Sequence, residues 1–127
     1  MTTTTSNFEN FGEFLTAKRM ERDLTLREMA RKLEISAAFL SDVEKNRTAP
    51  LTKDRLDAVA EILHLSADER TTMYDLAGKQ RNTVAPDLPE YIMGRSYVAA
   101  ALRTARDLNA SEAEWLKFVE DLKNREG

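Results

Sequence analysis

Residues 25–46, TLREMARKLEISAAFLSDVEKN, read as two short helices joined by a tight turn, and that unit constrains the rest of the chain. Thr25 with Glu28 three residues later forms a capping box, in which each side chain can satisfy an orphan backbone N–H at the helix start. Leu26, Met29, Ala30 and Leu33 then recur at helical spacing, with Arg27, Glu28, Arg31 and Lys32 left facing water. Glu34-Ile35-Ser36 is too short to connect antiparallel helices, so the chain must turn sharply. Ser36 can cap a second helix with Phe39, Leu40 and Val43 on one side. Ala37, Ala38, Ser41, Asp42 and Lys45 fall on the other. Ala30 is small where the two helices would cross, and Ile35, Leu40 and Val43 would plug the angle between them. The layout is that of a DNA-binding helix-turn-helix, whose second helix offers an outward face to the major groove.

The stretch resembles the phage repressor/Cro (XRE) family of transcriptional regulators. Leu24-Thr25, Met29-Ala30, Leu33, Ile35-Ser36, Leu40-Ser41, Val43-Glu44 and Pro50 carry the resemblance, which runs from about Phe14 to about Leu65. Three positions depart from the family pattern. Glu34 and Asn46 stand where glycine is frequent, and a non-glycine residue at positive φ costs roughly 1 kcal/mol. Asparagine is the next best residue for that conformation. Leu26 replaces a glutamine that often contacts a phosphate, so that contact is expected to be absent.

The resemblance implies that the first two outward positions of the second helix, and the one a turn later, touch bases. Here those are Ala37, Ala38 and Asp42. An alanine methyl can pack on a thymine methyl, and Asp42 can accept a hydrogen bond from cytosine N4. Ser41 is within reach of a base or a phosphate, and Phe39 suits either core packing or a thymine methyl. Lys45 and Arg47 are the first choice for phosphate contacts, with Lys18 and Arg19 behind them. No Arg–guanine or Gln–adenine pairing is available, so direct readout should be modest. Two half-sites bound by a dimer, together with DNA bending, would supply the remaining specificity.

Charge is balanced where a DNA-binding domain is often basic. The chain has 19 basic and 22 acidic residues, with eight of each sign between Phe8 and Pro50. A local positive rim from Lys18, Arg19, Arg22, Lys45, Arg47 and Lys53 would meet the need. A thin rim would make affinity depend on paired protomers and fall quickly with salt.

No apolar run approaches the ~18 residues of a membrane helix, and no signal-peptide pattern is present, which predicts a cytoplasmic protein. The absence of cysteine removes disulfide and thiolate chemistry. His64, the single histidine, sits near a helix C-terminus, where the dipole favours it. With no nucleophile–base arrangement and no glycine-rich phosphate loop, no enzymatic activity, cofactor or metal is expected.

The remaining punctuation predicts an all-α chain. Residues 1–9 read as a disordered, threonine-rich N-terminus. Residues 10–78 read as a five-helix DNA-binding domain. Its first helix carries Phe11, Phe14, Leu15 and Met20, its fourth carries Leu56, Val59, Ala60 and Leu63, and its fifth opens at the Ser66/Glu69 box and stops at Gly78. Residues 79–90 read as a linker in which Pro86 and Pro89 forbid a continuous helix. Residues 91–127 hold two amphipathic helices, one with Val98, Ala101, Leu102 and Ala105, the other opened by Ser111/Glu114 and carrying Trp115, Phe118, Val119 and Leu122. Two such helices cannot bury both faces alone, so they pack on the first domain or on another chain.

The expected function is that of an autoregulating dimeric repressor on an inverted-repeat operator. One alternative is an antitoxin or mobile-element immunity repressor whose C-terminal helices grip a partner protein. A third reading is a helix-turn-helix scaffold used only for protein binding.

Overall fold

The computed structural model describes residues 8–125, and among them every regular element is helical. Helices α1 (Phe11–Glu21), α2 (Leu26–Leu33), α3 (Ala37–Glu44), α4 (Lys53–Ile62) and α5 (Ala67–Arg81) form one compact unit that extends to Pro89. A short helix α6 (Pro89–Ile92) leads to α7 (Ser96–Asp107) and α8 (Glu112–Asn124), the second unit, from Glu90 onward. No helix among the described residues is long and apolar enough to cross a membrane.

Local chemistry sets the helix boundaries. Complete capping boxes start α2, α5 and α8 at Thr25, Ser66 and Ser111, each satisfying two backbone donors. Helices α1 to α5 and α7 are each followed by a non-glycine residue at positive φ: Asp23, Glu34, Asn46, His64, Asn82 and Asn109. The following residue's N–H then reaches back to a carbonyl in the last turn, as in Ile35 to Ala30 and Arg47 to Asp42. This closure satisfies carbonyls that would otherwise be orphaned, and so offsets the cost of the left-handed residue.

The core of the first unit collects Phe11, Phe14 and Leu15 from α1, Met29, Ala30 and Leu33 from α2, and Leu40 and Val43 from α3. It is completed by Leu56, Val59, Ala60 and Leu63 around α4 and by Met73 and Ala77 of α5. Burial of these side chains is the main stabilising term, at roughly 1.5–3 kcal/mol for each large one.

Several details differ from the sequence reading. Residues 1–7 of the N-terminus expected to be disordered lie outside the described residues, but Phe8 is partly buried, edge-on to Phe14 with ring centroids 5.3 Å apart. Met20 is 62% exposed, because Lys18 takes the inward position in that stripe. Gly78 does not stop α5, which continues to Arg81 and ends at the left-handed Asn82. Close approach explains the glycine: a Cβ there would stand 2.7 Å from the Val84 carbonyl oxygen. Ala85 is also buried, so part of the expected linker packs back on α5. Pro89 begins α6, a position where its missing N–H costs nothing.

Gly78→Ala is expected to destabilise the first unit by about 1–3 kcal/mol through this overlap, although alanine is the better helix former by about 1 kcal/mol. Urea unfolding checks the sign. A stabilised variant would mean that the 84–85 segment can move away freely.

Candidate nucleic-acid interface

Helix α3 has two faces with separate duties. Ser36 caps it by accepting the Phe39 N–H at 3.0 Å. Leu40 and Val43 are fully buried, and Ala37 and Phe39 are partly buried against the core. Phe39 therefore packs on the core side, the first of its two sequence readings. Ala38 is exposed, Ser41 and Asp42 are half-buried, and Lys45 and Arg47 are exposed just past the helix end. Asp42 and Arg47 lie 3.7 Å apart, with side chains 48% and 65% exposed; at that exposure the pair contributes little to stability. Ala38, Ser41, Asp42, Lys45 and Arg47 thus share one accessible surface with the edge of Ala37.

The inner face of α3 is held by polar contacts to α1. Arg19 donates from Nε to Glu44 Oε2 at 2.7 Å and from Nη2 to Glu44 Oε1 at 3.0 Å, a bidentate pair. Its third donor reaches the Leu24 carbonyl at 2.8 Å, and Thr16 Oγ1 donates to Glu44 at 3.0 Å. Gly12 lets the α1 backbone touch the end of α3: a Cβ there would lie 2.3 Å from the Glu44 carbonyl oxygen. Beside it, Asn46 accepts the Gly12 N–H at 3.1 Å and donates to Asn10 at 2.8 Å. From the last turn of α5, Gln80 accepts the Phe11 N–H and Arg81 donates to the Pro50 carbonyl. The loop that carries Arg47 is therefore fixed from both sides.

These contacts remove cations from the expected rim. Lys18 is 1% exposed, with its ammonium 2.9 Å from Glu69, 3.4 Å from Glu21 and near the faces of Phe8 and Phe14. A buried ammonium must be paired, so Lys18 is a core strut and does not reach a phosphate as expected. Arg19, with its side chain 13% exposed, is likewise committed to Glu44 in place of its expected phosphate. Arg22 caps the end of α4 through the carbonyls of Leu63 and His64. Lys53 pairs with Asp57 at 2.9 Å over the Tyr74 ring. Tyr74 donates to the same carboxylate; burial and that charge push its hydroxyl up to about 12. Burial would raise Asp57, but the hydrogen bonds from Tyr74 and Lys53 outweigh it and hold the carboxyl below its usual range.

Lys45 and Arg47 remain as exposed cations at the end of α3, joined by Arg27, Arg31 and Lys32 on α2. Leu26 is partly buried on the core. The inward roles of Lys18 and Glu44 went unassigned in the sequence, although a signal was present. Lys18 stands four residues after Phe14, and Glu44 four after Leu40, each on an apolar stripe where a charge must find a partner.

The family profile described as "Helix-turn-helix domain" matches residues 10–73, half of the chain. A solved structure described as a SinR protein/SinI protein complex is similar over 91% of this chain and 97% of that one, at 21% identity and a TM-score of 0.47. Among curated proteins, none matches.

Glu69 offers a test of the buried lysine. The Ser66 backbone N–H holds its carboxyl below the ordinary glutamate range, burial opposes this, and the Lys18 ammonium reinforces it. A folded value below the unfolded one gives stability that is complete above the unfolded pKa and is lost as pH falls through the folded one. Glu69→Gln keeps a capping-box side chain but leaves Lys18 with the more distant Glu21. We expect a loss of about 1–3 kcal/mol at neutral pH, closing on acidification below about pH 4, as followed by urea unfolding across pH. A gap independent of pH would show that the pair contributes nothing.

Proposed function

We propose that this chain, which belongs to the helix-turn-helix domain family of DNA-binding regulators, is an autoregulating dimeric repressor that places α3 in the major groove of an inverted-repeat operator. The observation that carries this reading is the division of α3. Its inner face is locked by Glu44, Leu40 and Val43, while its outer face holds small or short side chains with almost no duty in the fold.

Ala37 and Ala38 would meet thymine methyl groups, Ser41 a base edge or phosphate, and Asp42 the exocyclic amine of cytosine. Lys45 and Arg47 would take phosphates, with Arg47 also offsetting the Asp42 charge beside the DNA backbone. With few cations available, a single domain holds DNA weakly. A pair of domains about 34–36 Å apart on one side of the duplex multiplies that weak preference. Residues 10–78 are the DNA-binding region in this reading, residues 79–90 the connection and residues 91–127 the dimer contact. Repression follows because a compact bound dimer blocks polymerase.

The apolar surface of α7 and α8, including Trp115, Phe118 and Leu122, supports a second reading, an antitoxin-type or mobile-element repressor whose C-terminal helices hold a partner protein.

Binding to the DNA upstream of the chain's own gene, compared with scrambled DNA from about 50 to 200 mM salt, tests the main reading; we expect preference for the former and steep salt dependence. No affinity for either DNA at low salt would sink it. Arg47→Ala should weaken specific and random DNA alike and shallow the salt slope by about one. Asp42→Ala should relax sequence preference and, by freeing Arg47 and removing a negative charge, tighten random binding. If both variants bind like wild type, the reading face lies elsewhere.

A further inference from the structure

We propose that residues 90–125 pair with the same residues of a second copy as a two-fold, four-helix bundle in which α7 of each chain lies against α8 of its partner. The proposal rests on the dimeric reading of the protein and specifies its contact.

The second unit has no interior. Neither α7 nor α8 contains a buried residue. Trp115 is 39% exposed and Phe118 53%, while Leu102, Leu108, Val119 and Leu122 are at least as open as Trp115. The Trp115 and Phe118 rings meet edge-on at 6.0 Å, and a groove of about 310 Å³ opens between Tyr97, Val98, Ala101 and Leu102 on one side and those rings on the other. A hairpin of this length with its apolar stripes in water lacks the burial needed to offset the entropy of ordering it. The two capping contacts between Ser111 and Glu114 define where α8 starts but bury nothing.

Size and charge on the two helices identify the occupant. Half of the α7 stripe is small, with Ala101 and Ala105 alternating with Val98 and Leu102, whereas α8 presents Trp115, Phe118, Val119 and Leu122. Around α7 the charges are Arg95, Arg103 and Arg106 against Asp107. On α8 they are Glu112, Glu114, Glu120 and Asp121 against Lys117, Lys123 and the capping Arg125, a smaller surplus of the opposite sign. Asp107 is engaged by its neighbour Arg106, and Lys117 pairs within α8 with Asp121, so the surplus on each helix keeps its sign. A hairpin with one small-faced basic helix and one large-faced acidic helix complements itself under two-fold rotation. Like helices facing each other would set acidic against acidic and large against large. Self-complementarity is what an isologous contact requires, and complementary charge fixes which helix meets which.

Sedimentation of the full chain without DNA tests the pairing; the expected mass is twice 14.4 kDa. Phe118→Glu alters a side chain already half in water, so it should yield a monomer with unchanged thermal unfolding of residues 8–89. Arg103→Glu/Arg106→Glu and Glu112→Lys/Glu120→Lys should each raise the dimer dissociation constant about tenfold or more, and mixing the two variants should restore it. A monomeric wild type, as would follow if the hairpin covered its own first unit or awaited a different protein, overturns the proposal. So do charge variants as dimeric as wild type, or a mixture no tighter than its parts. DNA binding separates this from the functional reading: a dimer without DNA affinity leaves the pairing standing and removes the regulator.

Discussion

The bidentate pair between Arg19 and Glu44 governs how α3 is presented, because it joins the last turn of α1 to the last turn of the helix that would face DNA. All three guanidinium nitrogens are engaged and both carboxylate oxygens accept: Thr16 adds a third donor to Glu44, and Nη1 of Arg19 donates to the Leu24 carbonyl. Replacing such a pair by apolar side chains is often neutral for stability. Its value here is geometric, since two fixed N–H···O bonds set both the distance and the roll of α3 against α1. Gly12 and Asn46 extend the same joint to the first turn of α1, where two backbones nearly touch.

That arrangement draws on the chain's limited stock of cations. Arg19, Lys18, Arg22 and Lys53 all serve the fold, through Glu44, Glu69, the end of α4 and Asp57. A balanced charge is therefore less favourable for DNA than the raw count suggests, because the acidic partners remain where the cations are used. The balance is offset locally at the end of α3, where Lys45 and Arg47 stand together, and on the exposed side of α2.

How much of this the sequence disclosed follows from the range of each interaction. Capping boxes at Thr25, Ser66 and Ser111 and the left-handed Glu34 and Asn46 were legible because they are settled within a few neighbouring residues. The apolar stripes of α2 to α4 were legible because helical spacing is a local signal. Lys18 and Met20 exchanged their expected places because a lysine stem fills a core as well as methionine does when a carboxylate 51 residues away receives its head. Gly78 reads as a stop signal in a linear sequence, whereas its role depends on a backbone segment returning over it. On the proposed DNA face, the outward residues of α3 were legible but not which nearby cations were already engaged, since that depends on long-range pairing.

The two faces of α3 are chemically independent, and this bears on the history open to such a protein. Substitutions at Ala38, Ser41 or Asp42 leave Leu40, Val43 and Glu44 undisturbed, so in the proposed reading the helix would exchange its target sequence without passing through an unfolded intermediate. On that reading a duplicated copy would be free to drift toward a new DNA site while keeping the ancestral scaffold, and two such proteins would coexist in one cell as soon as their outer faces diverged.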